Sequence, residues 1–137
     1  MKNILIILGV ILLNFSCQNQ TNTVVNPNQV GTIEANDSKS TAARDFSNAY
    51  TSNNLLSAKS LFTEDAVFKI NDAEMSFDDM AAGFTAGHNF FDNIRNDDKH
   101  IYTMHYDEGD NAGKTFTNMW HVWKGNRKDK GEEIMVK

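Results

Sequence analysis

The pattern of apolar and polar positions divides the chain into three stretches. An apolar run from Ile4 to Leu13 leads to Cys17, and a polar stretch from Gln18 to Lys39 is rich in Asn, Gln, Thr and Ser. From residue 40 onward, apolar positions recur first at helical and then at strand spacing. The pattern therefore predicts one folded domain over residues 40–137.

Two amphipathic helices are predicted at the start of this domain. Ala43, Phe46 and Tyr50 lie at positions i, i+3 and i+7 and share one face of the first helix. An apolar stripe over residues 55–62 indicates the second helix. The polar tetrapeptide TSNN separates the two.

A third helix is predicted to begin after Ser76. This serine is the expected N-cap, Asp79 is its capping-box partner or complements the helix dipole, and Met75 and Met80 occupy the hydrophobic-staple positions. The inner face of the helix is expected to continue through Phe84, His88 and Phe91. A histidine on such a face is either a hydrogen-bonded structural group or a functional one.

Strands account for most of the remaining apolar positions. The run AVFKI predicts a short strand. After the polar sequence RNDD, which we interpret as a break, strands are expected at Lys99–Asp107 and Lys114–Lys124, joined by a turn in EGDNAG. The final piece, GEEIMVK, predicts the start of another strand. Helices followed by antiparallel strands indicate an α+β domain.

The sequence NMWHVWKG places one tryptophan on each face of the predicted sheet, because successive side chains of a strand alternate. If Asp107 lies opposite Lys114, Ile101 faces Trp120 across the hairpin. A change of one residue in this register would exchange the partners. Both faces carry aromatic groups, so both are expected to be covered, one by helices and one by another chain.

The N-terminal stretch predicts export. Residues 1–17 have the layout of a signal peptide, with Lys2 before the apolar run and the small residue Ser16 before Cys17. The run is shorter than the roughly 20 apolar residues of a membrane-spanning helix. Cys17 is the only cysteine, so it has no partner for a disulfide within the chain. Residues 18–39 cannot bury enough apolar surface to fold alone, and we interpret them as a flexible tether.

The position of Cys17 resembles that of the lipidated cysteine in a bacterial lipoprotein signal. The resemblance implies a membrane anchor through lipid on Cys17, with a plain secretory signal as the alternative. Gln18 stands where a retention signal would have aspartate, which favours the outer membrane. The chain is acidic, with 13 Lys and Arg against 18 Asp and Glu, and it has no basic stripe, so nucleic acid is not an expected partner.

The segment NAYTSNNLLSAKSLFTEDAVFKI, the capped helix SFDDMAAGF and the strands ending in MWHVWKG resemble the NTF2-like, or SnoaL-like, family. The resemblance covers roughly residues 41–137. It implies a cone in which three N-terminal helices pack on a strongly bent antiparallel sheet around an apolar cavity. It also implies pairing of two copies through the outer sheet face and a further closing strand after GEEIMVK. The sequence is therefore expected either to be truncated at its C-terminus or to leave a sheet edge that a partner subunit covers.

The resemblance does not carry over a known catalytic set. Aligned on SLFTEDA, the tyrosine of the family's ketosteroid isomerases falls on Phe46 and the general-base aspartate on Ile70, and neither side chain can donate or accept a proton. Isomerase chemistry would need Asp72, Tyr50 or another group at a different position. The resemblance therefore supports the fold more strongly than any activity.

Two sets of candidate residues follow. The walls of the implied cavity are expected to include Phe84, His88, Tyr102 and Trp120. The candidates for acid–base catalysis are His88, Asp92, Tyr102 and His105, although no pair among them has a diagnostic spacing. The histidines at 88, 100, 105 and 121 occur singly, without a metal-binding pattern, so neither a metal nor a cofactor is expected.

Three functions remain open from the sequence. The preferred one is an envelope lipoprotein that binds a small apolar molecule, without a defined catalytic constellation. The second is an isomerase, dehydratase or cyclase, with His88 as acid or base and Tyr102 as a hydrogen-bond donor. The third is a structural dimerisation module that works through the outer face of its sheet.

Overall fold

The computed structural model describes residues 31–137. The predicted signal peptide, Cys17 and residues 18–30 of the predicted tether lie outside the described residues. Within residues 31–137, no helix combines the length and the apolar character that crossing a bilayer requires.

The described chain is a mixed α+β structure, as the sequence predicts, with a bent four-stranded antiparallel sheet in the order β1-β4-β5-β6. A separate small hairpin pairs β2 with β3. The elements in chain order are β1 Gly31–Glu34, α1 Ser38–Thr51, a 3-10 helix Leu55–Leu61, β2 Phe68–Ile70, β3 Ala73–Met75, α2 Phe77–Gly87, β4 Phe91–Tyr106, a short 3-10 turn Gly109–Asn111, β5 Thr115–Arg127 and β6 Glu133–Val136.

The start of α2 is formed by the predicted cap. The Ser76 hydroxyl accepts a hydrogen bond from the backbone N–H of Asp79 at 3.1 Å and lies 2.7 Å from its carboxylate. Met80 belongs to the buried apolar cluster beneath the helix, and Met75 packs against it. The prediction from these four residues is confirmed because capping depends only on neighbours in sequence.

The end of α2 and the start of β4 differ from the prediction. The helix ends at Gly87, and Phe91 begins β4 instead of continuing the helix. The polar sequence RNDD lies inside β4, so interpreting it as a break was wrong. Asn93 and Asp98 adopt positive φ angles of 52° and 49° where the pairing of β4 with β5 shifts register. These residue types tolerate that conformation, which produces bulges within a continuing strand.

The hairpin of β4 and β5 has a different register from the one considered for the sequence. His105 pairs with Thr115 and Ile101 with Met119, so Trp120 lies opposite His100 rather than Ile101. The turn closes with hydrogen bonds between Tyr106 and residues 113 and 114. Positive φ angles of 75° at Gly109 and 76° at Gly113 shape this turn, and they shift the pairing by one residue from the predicted one.

Two further strands bear on the predictions. The segment GEEIMVK forms the predicted strand, β6, and this strand pairs with β5. Residues 31–34, within the predicted flexible tether, form β1 against β4, and α1 begins at Ser38. A Cβ at Gly31 would collide with the backbone of His105, so only glycine allows the two strands to come this close.

The helix α1 contacts the sheet through hydrogen-bonding side chains. The Ser40 hydroxyl lies 2.9 Å from that of Thr103, and Asn96 donates to the Ser47 hydroxyl at 3.0 Å. Trp123 donates through Nε1 to the Tyr50 hydroxyl at 2.8 Å. We call the sheet face that makes these contacts the α1 face and the opposite one the outer face. The buried apolar cluster lies elsewhere, and its members are Leu55, Ala58, Phe77, Met80 and Ala81.

Candidate functional site

An apolar cleft of about 480 Å³ lies on the α1 face of the sheet. It is formed where α1, the 3-10 helix, β2 and α2 approach β5. The side chains that line it are Lys39, Ala42, Ala43, Phe46, Leu61, Phe62, Phe68, Met80, Thr115, Thr117 and Met119. We call this space the apolar cleft.

Aromatic side chains form one wall of the apolar cleft. The ring of Phe62 lies 5.7 Å from Phe46 and 4.9 Å from Phe68 between centroids, and both contacts are edge-on. Phe62 nevertheless remains 37% exposed, and Leu61 beside it is 38% exposed. The helices and β2 therefore leave apolar surface open to the cleft instead of closing over it.

One end of the apolar cleft is polar. Lys39 at the start of α1 and the hydroxyls of Thr115 and Thr117 lie there, whereas Phe46 and Met119 lie further along the same two elements. The Ser40–Thr103 contact, with Thr103 paired to Thr117, and the Tyr50–Trp123 contact show that α1 and β5 run in the same direction. The cleft therefore has a polar end and an apolar end.

The predicted wall residues are not brought together around the apolar cleft. Phe84 and His88 contact the ring of Tyr50, at centroid distances of 5.6 Å and 5.5 Å. Tyr102 lines a shallow groove at the edge of β4, and Trp120 is 65% exposed on the outer face. None of the four is among the residues that line the cleft, and their contact with a ligand stays a prediction.

His88 occupies a structural position in this arrangement. Its Nε2 lies 2.9 Å from the backbone oxygen of Tyr50, and its own backbone oxygen accepts a hydrogen bond from Lys128 at 2.8 Å. Asp92, another catalytic candidate, forms an exposed ion pair with Lys128 at 3.4 Å. The two candidates therefore share a lysine but lie in no common pocket with Tyr102 or His105 among those lined by described residues.

His105 is the predicted catalytic candidate with the most polar side chains around its imidazole. Its Nε2 lies 3.8 Å from a carboxylate oxygen of Glu34 and 3.8 Å from one of Asp37. Its Nδ1 lies 3.4 Å from the hydroxyl of Thr115, which also lines the apolar cleft. Glu34 and Asp37 were not predicted from the sequence, because both fall in the polar stretch that its composition predicts to be a flexible tether.

Asp37 is the N-cap of α1 and is held by several donors. Its Oδ1 accepts hydrogen bonds from the backbone N–H of Ser40 at 2.8 Å, from the Ser40 hydroxyl, and from the Thr103 hydroxyl at 2.8 Å. These bonds, that of the Ser40 side chain foremost, lower the pKa of Asp37 to about 2. The spacing of Asp37 and Ser40 in the sequence is an N-cap signal that could have located the helix start.

His121 lies on the α1 face in a region of buried polar atoms. Burial lowers the pKa of its imidazole below the ordinary value of 6.5, and the positive charge of Lys99 lowers it further. Its Nδ1 and the Oδ1 of Asn96 are buried without a hydrogen-bond partner among the described residues. Buried polar atoms without hydrogen bonds disfavour the folded state, so this region lowers the stability of the protein. Neither atom is hydrogen-bonded to a second acid or base within residues 31–137, so the two do not form a catalytic pair.

The outer face of the sheet carries exposed apolar side chains. Ile33, Met104 and Phe116 lie opposite one another across three strands, and Trp120 follows Phe116 on the same face of β5. Exposure is 58% for Ile33, 43% for Phe116 and 65% for Trp120. Of the two tryptophans in NMWHVWKG, Trp123 therefore packs on the α1 face and Trp120 is free on the outer face.

Comparisons of this chain with models of protein families, with curated proteins and with solved structures find no match.

Proposed function

We propose that this protein is an envelope lipoprotein whose domain binds a small apolar molecule in the apolar cleft. The observation that carries the proposal is the cleft itself, about 480 Å³ of space between elements whose side chains remain unburied. Ligand sites in proteins are concave, mostly apolar, and of roughly 300–1,000 Å³. The cleft meets each of these criteria.

The walls of the cleft favour an apolar ligand. Leu61 and Phe62 keep more than a third of their surface exposed, although the ring of Phe62 also contacts Phe77 of the buried apolar cluster. Covering such surface with a ligand stabilises the complex by about 25 cal/mol for each Å² removed from water. A ligand with an apolar body is therefore favoured over a polar one.

The polar end of the cleft favours a ligand with one hydrogen-bonding group. Thr115 and Thr117 each place a hydroxyl there, and Lys39 adds an ammonium group with no hydrogen bond or ion pair to another residue in the 31–137 range. A few polar groups in an apolar pocket fix the orientation of a ligand. The ligand is therefore expected to place its polar group beside β5 and its apolar body beside Phe46.

The structure supports ligand binding better than catalysis, because the candidate residues for acid–base catalysis are dispersed over the domain. His88 and Asp92 lie near Lys128, and Tyr102 lies at the edge of β4. His105 contacts the cleft only through Thr115. A general acid or base must reach the reacting atom within hydrogen-bond distance, and no described candidate lines the cleft. For the protein to be an isomerase, dehydratase or cyclase, the ligand would have to extend past Thr115 to reach His105.

The NTF2-like cone and the envelope location are parts of the same proposal. The order of helices and antiparallel strands, the bent sheet and a cleft beside α1 support a cone of this kind. The signal-like residues 1–17 and the single Cys17 support lipidation and export. Labelling the cells with a radioactive fatty acid, beside a Cys17→Ser variant, tests the anchor separately from the cleft.

The binding proposal is tested by filling the cleft. We expect full-length protein to bind the fluorescent probe 8-anilinonaphthalene-1-sulfonate, and Met119→Trp to weaken this binding at least about tenfold because the larger side chain occupies the site. Met135→Trp is the matched control, since Met135 lies on β6 and is 52% exposed. Equal binding by both variants would contradict the proposal. Native mass spectrometry of protein purified gently from its own cells then identifies a retained ligand.

A second function is favoured by the outer face. We propose that two copies pair through Ile33, Phe116 and Trp120, because a row of exposed apolar side chains across three strands is typical of an interaction surface. Sedimentation equilibrium of full-length protein should show a dimer, and Trp120→Ser should shift it toward monomer. Leu56→Ser is the control, because Leu56 is as exposed as Trp120 but lies on the 3-10 helix. A wild-type protein that sediments as a monomer at micromolar concentration contradicts this pairing.

A further inference from the structure

Three side chains that bind metals in other proteins converge where β1 turns into α1. Glu34 ends β1, Asp37 caps α1, and His105 lies on β4 beside them. One ligand atom from each, two carboxylate oxygens and the imidazole Nε2, lie within 4.8 Å of one another. We call this group the Glu34–Asp37–His105 cluster.

One nitrogen of the His105 imidazole is buried without a hydrogen bond to any described residue. Its Nε2 has no accessible surface and no hydrogen-bond partner in residues 31–137. Both neighbouring carboxylate oxygens lie 3.8 Å away, beyond the range of a hydrogen bond. A buried nitrogen between two carboxylates is costly unless a proton or a metal cation lies between them.

The groups behind the cluster already hold two of its members in a ligating orientation. Three donors bond Oδ1 of Asp37, so that Oδ2 is the oxygen that faces His105. The Nδ1 of His105 lies 3.4 Å from the Thr115 hydroxyl, and in the tautomer in which Nδ1–H donates to that hydroxyl, Nε2 keeps a free lone pair. Hydrogen bonds of this kind orient the ligands of metal sites.

We propose that Glu34, Asp37 and His105 bind a divalent first-row transition cation of the Zn²⁺ type. One imidazole nitrogen with two carboxylate oxygens suits Zn²⁺ and its neighbours, whereas Ca²⁺ and Mg²⁺ are bound through oxygen. Bonds of about 2.0–2.2 Å to a tetrahedral ion would hold ligand atoms about 3.4 Å apart. The two 3.8 Å separations from His105 must shorten by a few tenths of an ångström. The two carboxylate oxygens lie within 4.8 Å of each other and must approach by up to about 1.4 Å. The 58% exposed side chain of Glu34 allows both movements.

The cluster lies next to the polar end of the apolar cleft. Thr115 both contacts His105 and lines the cleft, so the cation would sit one side chain behind the ligand space. Three protein ligands leave at least one coordination position for water. The inference does not depend on the proposed ligand, because the cluster uses none of the residues that line the cleft as metal ligands.

The test is isothermal titration calorimetry, in which Zn²⁺ is added to metal-free, full-length protein and the heat of binding is measured. We expect one ion for each chain, and an affinity at least tenfold weaker in His105→Asn, Glu34→Gln and Asp37→Asn. Asn is as good a helix N-cap as Asp, so Asp37→Asn separates loss of a metal ligand from loss of the fold. The thermal midpoint of the wild-type protein should rise with Zn²⁺ concentration, and that of His105→Asn should not.

Two controls address other sources of Zn²⁺ binding. His100→Asn removes an exposed histidine on the outer face, and Cys17→Ser removes the only thiol. Both variants should bind Zn²⁺ as the wild-type protein does. Wild-type affinity in His105→Asn, or no binding by the folded wild-type protein at a Zn²⁺ concentration of hundreds of micromolar, would overturn the proposal. Binding lost only with Cys17→Ser would overturn it as well.

Discussion

Two buried regions on either side of α1 are built from opposite kinds of side chain. Toward the sheet, the three least exposed residues are the polar Ser40, Ser47 and Thr103, and Asn96 and Ile101 are buried beside them. Toward the 3-10 helix and α2, the buried residues are apolar, and they are Leu55, Ala58, Phe77, Met80 and Ala81. We call the first region the polar interface and the second the apolar cluster.

The difference shows that the two regions contribute differently to the fold. Removing apolar side chains from water stabilises the apolar cluster whatever the exact orientation of its members. Hydrogen bonds contribute little net stability, but each becomes costly when one partner is removed and the other stays buried. The polar interface therefore sets the position of α1 on the sheet, and the apolar cluster supplies more of the stability.

The largest expected effect lies in the apolar cluster. Leu55→Ala should lower the free energy of unfolding by about 2–5 kcal/mol, because Leu55 is 2% exposed and its loss leaves a cavity. Leu56→Ala is the neighbouring control, at 65% exposure, and should change it by less than about 0.5 kcal/mol. Urea unfolding of both variants measures the contrast, and similar losses would show that the cluster is not a core.

A substitution in the polar interface should lower the free energy of unfolding by a smaller but measurable amount. Thr103→Val keeps the shape of a fully buried side chain and removes the hydroxyl that bonds Asp37 and contacts Ser40 and Thr117. We expect a loss of about 1–3 kcal/mol in unfolding free energy, since buried partners are left unpaired. Thr32→Val, on an exposed position of β1, is the control. A stabilised Thr103→Val protein would mean that the polar interface is not held by these bonds.

A smaller effect is expected where the two regions meet. Tyr50→Phe keeps the ring contacts to Phe84 and His88 and removes the hydroxyl that accepts from Trp123 at 2.8 Å. The unfolding free energy should fall by about 0.5–1.5 kcal/mol. Tyr106→Phe, whose hydroxyl reaches only a methionine sulfur at 3.9 Å, should change it less. Equal losses from both variants would assign the effect to something other than the Trp123 bond.

The smallest effect is a pH dependence from His121. Because burial lowers its pKa, the unfolded chain binds the His121 proton more readily than the folded one, and stability falls as pH drops through 6.5. His121→Gln should make the loss between about pH 8 and about pH 5.5 less steep than in the wild-type protein. His100→Gln, at an exposed position, is the control. An unchanged slope in His121→Gln would contradict the effect of burial.

Some of the fold could be predicted because the responsible interactions are local. The cap at Ser76, the methionine staple and the strand in GEEIMVK follow from neighbouring residues and from alternation. Local reasoning failed at RNDD, where Asn and Asp suit a chain break and a bulge equally well. Only pairing with β5 distinguishes the two, because the partner strand supplies the hydrogen bonds that continue β4.

The candidate site was harder to predict than the fold. A helical pattern of Ala43, Phe46 and Tyr50 located the apolar side of α1, but the serines that are most deeply buried look like surface residues in the sequence. The bond between Ser40 and Thr103 joins residues 63 positions apart. Glu34 and Asp37 were missed for the same reason, since their partner His105 lies on a distant strand.

By itself the sequence determined the α+β class, the cap of α2 and most of the strands, because propensity and alternation act between residues that are close along the chain. Only the tertiary structure decided the register of β4 and β5, the separation of Trp120 from Trp123, the place of the apolar cleft and the meeting of His105 with two carboxylates. These features depend on which distant residues come into contact, and strand pairing and helix packing set those contacts only once the whole chain has folded.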